Sequence, residues 1–133
     1  MRPRGFTLVE IVVVLAVSGL LAAIALPAME SRMTAARRAD ATLALERLQW
    51  AQERHRALHG LYGNSPASLG LPTRSPEGLY EIRLATGPGD AYRAVARPLP
   101  GGAQAGDDAC AEITLQVVQG FATPGPDRRC WNR

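Results

Sequence analysis

The sequence predicts an α+β fold in which one long amino-terminal helix packs on a small antiparallel sheet. Two patterns lead to this prediction. Residues 6–26 are almost wholly apolar and lead into a helical periodicity that continues to residue 59, whereas later residues alternate between apolar and polar in short runs separated by glycine and proline. At 133 residues, the chain is long enough for one small domain and an apolar anchor.

The apolar run has the length of a membrane helix. At about 1.5 Å of rise per residue, residues 6–26 would cross about 30 Å of hydrocarbon. Arg2 and Arg4 precede the run, which is the charge bias expected on the cytoplasmic side of a first membrane segment. A secretory signal peptide is the alternative, because residues 23–25 (Ala-Ile-Ala) have the small-x-small pattern of a cleavage site. An acid within the run and the helical pattern that continues out of it count against that alternative.

Glu10 is the one charged residue in this run. On insertion scales a carboxylate costs about 2.5–3.5 kcal/mol at the centre of a membrane helix, and less near an interface. A buried carboxylate is tolerated when it is paired or protonated. We therefore expect Glu10 to have a partner, the alternative being a side chain that only extends to the membrane interface.

The helical periodicity divides the residues beyond the apolar run into two faces. The predicted apolar face consists of Met33, Ala36, Leu43, Ala44, Leu48, Ala51, His55 and Leu58. The polar face, which we expect to be solvated, consists of Arg37, Arg38, Asp40, Glu46, Arg47, Gln52, Glu53, Arg54 and Arg56. One helix is therefore predicted from Phe6 to His59, with a glycine cap at Gly60. Pro27 should kink it, because proline removes one backbone hydrogen bond.

The segment after the helix predicts a loop and then strands. Residues 61–72 are rich in glycine, proline and serine, and Tyr62, Leu69 and Leu71 within them should pack on the helix. Alternating patterns predict an antiparallel meander of strands at residues 79–84, 92–97 and 112–118, and admit a fourth near 121–123. The inward residues would be Tyr80, Ile82, Leu84, Tyr92, Ala94, Ala96, Ile113, Leu115 and Val117.

The charge of the chain says little about its partners. The formal net charge is +3, but removal of residues 1–5 would leave 13 basic against 12 acidic side chains. Cys110 and Cys130 are the two cysteines, and in an exported chain an even number of cysteines predicts a disulfide. Two free thiols or a metal pair are the alternatives, and no third or fourth ligand lies nearby in the sequence.

No catalytic or cofactor motif is evident. His55 and His59 are four residues apart on the predicted helix, a spacing that can present two imidazoles to one metal ion. The His-Glu-x-x-His pattern is not met, because Arg56 occupies the glutamate position. We therefore expect surface or packing histidines, no metal, no cofactor and no enzymatic activity.

The motif Gly5-Phe6-Thr7-Leu8-Val9-Glu10, preceded by a short basic leader and followed by Pro27, resembles the type IV prepilin family, which includes the pseudopilins of type II secretion. The resemblance implies that prepilin peptidase cuts between Gly5 and Phe6 and methylates the new amine of Phe6. It also implies that Glu10 neutralises the amino-terminal Phe6 of a neighbouring subunit in the filament.

The carboxy-terminal part resembles PilE-type minor pilins, on the segment at residues 107–115, Gly120 and the final Cys130-Trp131. This resemblance implies the type IV pilin fold and a disulfide from Cys110 to Cys130 that bounds the carboxy-terminal region. The domains would be the leader (1–5), the membrane and assembly half of the helix (6–26), its amphipathic half (27–60) and a globular sheet domain (61–133).

The function implied is that of a minor pilin, held in the bacterial inner membrane with its carboxy-terminal domain in the periplasm, which primes or enters a type IV pilus. Its partners would be other pilin subunits, prepilin peptidase and the pilus assembly machinery. A pseudopilin of a type II secretion system is the first alternative, against which the terminal Cys130-Trp131 counts.

A DNA-binding pilin for DNA uptake is the second alternative and is less favoured. Arg128, Arg129 and Arg133 lie beside Cys130 and Trp131, so a disulfide could present cations and an aromatic ring together. Three nearby aspartates dilute this positive charge, and a solvated tail explains the same residues.

Overall fold

The computed structural model describes residues 5–132. Residues 1–4 of the predicted leader and the predicted DNA contact Arg133 lie outside the described residues. The chain divides after Met33 into two compact units, one formed by the first part of the long helix and the other by the rest of the chain.

The long helix, α1, spans Leu8–His59 and has 52 residues. It begins two residues later than predicted because Thr7 caps it: the Thr7 hydroxyl accepts a 3.3 Å hydrogen bond from the Glu10 amide. The Thr-x-x-Glu spacing is the sequence signature of such a cap. α1 ends as predicted, at Gly60 with a φ of 78°. It runs unbroken through Pro27, and the kink at that residue stays a prediction.

The first unit exposes its apolar side chains. Phe6 is 79% exposed, and the large apolar side chains from Leu8 to Leu26 are all at least half exposed. In the part of the chain that the structure describes, α1 is the one helix long and apolar enough to cross a membrane. So large an apolar surface requires lipid or other chains to cover it.

The second unit contains a four-stranded antiparallel meander in the order β1-β2-β3-β4. The strands are β1 (Tyr80–Gly87), β2 (Ala91–Pro98), β3 (Ile113–Val118) and β4 (Phe121–Gly125). The predicted α+β class and meander are confirmed, and the fourth strand that the sequence admitted is present. Residues 88–90 form the turn between β1 and β2.

The core lies between α1 and one face of the sheet. The inward residues predicted for the strands are buried, apart from Leu84, which is partly buried against the core. Tyr62 and Leu69 from the loop after α1 also join the core, and Leu71 packs against it. The helix contributes Ala41, Ala44, Leu45, Leu48 and Ala51.

The predicted apolar face of the helix is partly wrong. Met33, Leu43 and Leu58 are 44%, 42% and 74% exposed, whereas Asp40 and Gln52, predicted to be solvated, are 5% and 0% exposed. Asp40 and Gln52 are buried because they bind backbone groups, Asp40 in a distant loop and Gln52 in the loop that follows α1. The Asp40 carboxylate accepts the Glu77 amide at 2.9 Å, and the Gln52 side chain binds both backbone groups of Gly63. Hydrophobic periodicity does not register polar residues that are buried in this way.

Candidate functional site

The amino-terminal motif is accessible to another chain. Gly5, Phe6, Thr7 and Glu10 line an open depression of about 400 Å³, and the side chains of Phe6 and Glu10 are both exposed. The Thr7 cap also places the Glu10 carboxylate in the first turn of α1, where the helix dipole favours a negative charge. This cap was not anticipated, although its spacing was readable in the sequence.

The two cysteines form a disulfide, as predicted. Cys110 and Cys130 are bonded with their Cα atoms 5.6 Å apart, and both are 1% exposed. The bond joins the short helical turn before β3 to the turn at Arg128–Trp131 that follows β4. The carboxy-terminal segment is therefore fixed to the core at both ends of the β3–β4 hairpin.

The terminal segment does not present an aromatic ring. Trp131 is 6% exposed, and its indole N–H donates a 2.9 Å hydrogen bond to the Gly125 carbonyl. The prediction that the disulfide displays Trp131 beside cations at the surface is therefore wrong. Burial removes the apolar ring from water, and the indole N–H still has a hydrogen-bond partner. Arg128 and Arg129 are exposed as expected. The Arg129 side chain pairs with Asp127 at 3.0 Å, and hydrogen bonds from Arg129 lower the pKa of Asp127.

One aspartate of the three near this segment is neutralised inside the fold. The Arg38 guanidinium donates two 2.7 Å hydrogen bonds to the Asp107 carboxylate, whose side chain is 2% exposed. These bonds raise the pKa of Arg38 above its usual value. Arg38 also donates to the Arg129 carbonyl at 3.4 Å. The pair thus connects α1 to the two segments that the disulfide joins.

The outward side of the sheet is the surface that the prediction overlooked. Because side chains alternate along a strand, the residues between the buried ones share the opposite face. We call this surface the outer sheet face. It consists of Glu81, Arg83, Ala85, Ala91, Arg93, Val95, Arg97, Thr114, Gln116, Val118, Phe121 and Thr123. The strand register aligns three polar members in a row across β2, β3 and β4, namely Arg93, Gln116 and Thr123.

The outer sheet face carries its carboxylates at one end. Glu81 in β1 pairs there with Arg83 at 2.9 Å, and Glu112, just before β3, pairs with Arg97. The rows that contain Arg93 and Phe121 have no carboxylate. Arg93 forms no ion pair with any described residue. The alternation in β2, which places Arg93 and Tyr92 on different faces of the sheet, was visible in the sequence. Nothing in the sequence showed which residues of β3 and β4 would lie beside Arg93.

An aromatic ring stands at the edge of this face. Phe121 is 79% exposed and lies opposite Val118, which is 44% exposed, on the β3–β4 hairpin. The two residues of the turn, Gln119 and Gly120, have φ values of 50° and 84°. Positive φ at both positions is typical of the tight turn that matches strand twist.

The two histidines are engaged with each other and with backbone. The rings of His55 and His59 stack with their centroids 4.2 Å apart. The Nδ1 atoms lie 3.0 Å from the Leu61 carbonyl and 3.1 Å from the His55 carbonyl, respectively. Within residues 5–132, no group of three or more His, Cys, Asp or Glu side chains is placed to hold a metal ion.

Comparison with known proteins agrees with this architecture. Residues 27–114 match the family described as "Type IV minor pilin ComP, DNA uptake sequence receptor", and residues 1–26 match the "Prokaryotic N-terminal methylation motif". The type IV major pilin protein PilE1 of Neisseria gonorrhoeae is 36% identical over 78 residues, which cover 58% of this chain and 36% of the relative. The type IV major pilin protein PilA of Myxococcus xanthus is 31% identical over 100 residues, which cover 74% of this chain and 46% of the relative.

The chain spans about a third to a half of the length of these relatives, 36% of PilE1 and 46% of PilA. Both relatives are named as type IV major pilin proteins. The apolar amino-terminal helix is the membrane anchor of such a protein. Since the match of residues 27–114 covers more than half of the chain, the chain belongs to the type IV minor pilin ComP family.

Proposed function

We propose that this minor pilin binds DNA through its outer sheet face and displays it on the pilus. The observation that carries the proposal is the row formed by Arg93, Gln116 and Thr123, on the part of the face that has no carboxylate. The helical part of the second unit covers the opposite side of the sheet, so this face is left to solvent. The description of the matched family as a DNA uptake sequence receptor supports the same function.

The residues of the face have the chemistry that DNA requires. Arginine binds phosphate oxygens with charge-assisted hydrogen bonds, and glutamine and threonine side chains add contacts to phosphate, sugar or base edges. Arg93 is free to do so. Arg83 is paired with Glu81, but both side chains are exposed, by 58% and 42%, and such a pair is worth only about 0–1 kcal/mol. A phosphate can therefore replace Glu81 as the partner of Arg83.

The test is DNA binding by the full chain in detergent micelles, measured as a function of salt concentration. Arg93→Gln should weaken binding and should reduce the slope of log affinity against log salt by about 0.7–0.9, the value for one phosphate contact. Arg54→Gln, which changes another exposed arginine, on α1, is the matched control and should leave the slope unchanged. An absence of binding even at low salt would refute the function. Loss of binding in Arg128→Gln but not in Arg93→Gln would instead locate the site at the terminal segment.

We further propose that the amino terminus is processed and assembled as in other prepilins. Prepilin peptidase would cut between Gly5 and Phe6 and methylate Phe6, and Glu10 would pair with the amine of a neighbouring Phe6. The match of residues 1–26 to the methylation motif and the exposure of both side chains support this proposal. The peptidase and the pilus assembly machinery are its proposed partners, besides other pilin subunits.

The proposed arrangement of domains follows from this processing. Residues 1–5 would be removed, residues 6–26 would lie in the inner membrane and then in the filament, and Pro27 would kink the helix where its amphipathic half, 27–60, begins. The globular domain, 61–133, would lie in the periplasm, because Arg2 and Arg4 favour a cytoplasmic amino terminus. We propose a purely structural and binding role, without catalysis and without a cofactor.

A further inference from the structure

Phe121 is exposed although the same hairpin contributes to the core. In β3 the inward Val117 is 0% exposed, whereas Phe121, on the other side of the hairpin, is 79% exposed. The strand register decides this, because Phe121 pairs with the outward Val118. A large aromatic ring placed on the solvent side by a fixed register is available to a ligand.

The ring is held in place by a tethered turn. The tight turn at Gln119 and Gly120 sets the start of β4, and the Gln119 amide donates a 3.0 Å hydrogen bond to the Asp90 carbonyl. Asp90, in the turn between β1 and β2, is in turn paired with Arg56 of α1. Two neighbouring turns and the helix therefore fix the position from which Phe121 projects.

The surroundings of the ring select the ligand. Ala91 and Val118 lie in the same cross-strand row as Phe121 and form a small apolar surface beside the ring. The next row on this face is the polar row that contains Arg93. From strand spacing and rise, the backbones of Arg93 and Phe121 are about 12 Å apart. A phosphate anchor and an aromatic ring at this separation, with no carboxylate between them, suit a nucleic acid and disfavour an acidic protein.

We propose that Phe121 stacks on the face of a nucleobase in the DNA that the outer sheet face binds. The inference rests on the proposed function and adds the moiety that the site recognises. Every base has a π-face, so the contact would tolerate different sequences. The base can belong to a single strand, or to a duplex in which the ring inserts between two base pairs as a wedge. In both cases the ring contacts the face of an unstacked base.

The test compares single-stranded and duplex DNA of one sequence, bound to the full chain in micelles and followed by fluorescence anisotropy. Phe121→Leu keeps an apolar side chain but removes the ring, and should raise Kd about 5- to 150-fold for at least one of the two DNAs. Its salt slope should equal that of the wild type, because no phosphate contact is lost. Phe121→Trp should restore affinity.

The matched control is Trp50→Leu, which removes an aromatic ring that is 78% exposed but lies on α1. It should not change Kd. Thermal unfolding should show that Phe121→Leu folds normally, since the side chain is exposed. A loss confined to the single strand identifies that source of the base, and a loss with duplex identifies a wedge.

Two outcomes would overturn the inference, and they are distinguishable. If the wild type binds DNA and Phe121→Leu binds both DNAs with the same Kd as the wild type, the stacking contact is absent and the proposed function stands. If the wild type binds neither DNA at low salt, the proposed function fails as well.

Discussion

Arg38 and Asp107 form the most buried ion pair in the described part of the chain, with side-chain exposures of 13% and 2%. Removal of one partner of a buried pair leaves an uncompensated charge, which costs about 3–5 kcal/mol. Asp107→Ala should therefore lower the free energy of unfolding by about 3 kcal/mol, at the low end because Arg38 retains some contact with water. Urea unfolding followed by tryptophan fluorescence measures this.

The control for this prediction is Glu81→Ala, which breaks an exposed pair with Arg83. Pairs of that kind contribute little, so no measurable loss of stability is expected. Equal stability of Asp107→Ala and the wild type would contradict the assignment of the Arg38–Asp107 pair as a structural contact.

Ionisation of Tyr92 should lower the free energy of unfolding at alkaline pH. The side chain is buried, and burial, assisted by the charge of Glu53, raises the pKa of its hydroxyl above the usual 10.0. Below pH 10 the hydroxyl is neutral in both states and its contribution to stability is complete. As the pH rises above 10, tyrosine in the unfolded chain ionises first, and stability is lost until the folded pKa is reached.

Tyr92→Phe should flatten this alkaline decline in the unfolding midpoint, measured between pH 7 and pH 11. The variant should be as stable as the wild type at pH 7, or more so, because the buried Tyr92 hydroxyl has no hydrogen-bond partner among the described residues. Part of the decline should remain, since the pKa values of Tyr62 and Tyr80 are also raised. An unchanged alkaline decline in Tyr92→Phe would contradict the prediction.

At the scale of elements, Gln52 fixes the connection that leaves α1. Its amide donates to the Gly63 carbonyl at 2.9 Å and accepts the Gly63 amide at 2.7 Å, and the side chain is 0% exposed. Gln52→Ala would leave two backbone groups unpaired in the interior and should cost about 2–3 kcal/mol, which chemical unfolding measures.

Gln49→Ala is the control on the same helix, since the Gln49 side chain is only partly buried. It should change stability by no more than about 0.5 kcal/mol, as is usual for surface positions. A similar effect of both substitutions would show that the loss reflects helix formation and not the bonds to Gly63.

The elements also differ in how well the sequence predicted them. α1 was predicted because a long helical periodicity is a strong signal, and three strands were predicted from short alternating runs, which admitted β4 only as possible. The buried face of α1 was predicted only in part, because Asp40 and Gln52 are buried by hydrogen bonds to loop backbone 37 and 11 residues away. Such contacts have no local pattern.

At the scale of the whole molecule, assembly should depend on Glu10. Glu10→Gln removes the charge expected to pair with the amino terminus of a neighbouring Phe6, so the chain should be processed normally but recovered several-fold less in sheared pili. Immunoblots of the membrane and sheared fractions measure both. Glu30→Gln changes an exposed acid on α1 beyond the apolar run and should not affect recovery. Wild-type recovery of Glu10→Gln would contradict the pairing role.

The sequence by itself determined the anchor, the amino-terminal motif, the fold class and the order of the strands, because each depends on residues close together in the chain. Only the tertiary structure decided which side chains meet. It buried Trp131 against Gly125, paired Arg38 with Asp107, and aligned Arg93 with Gln116 and Thr123 on one face. The physical reason is that strand register and burial are set by contacts between distant residues. A one-residue shift in the register of β2, β3 or β4 would turn Arg93, Gln116 or Thr123, respectively, to the opposite face.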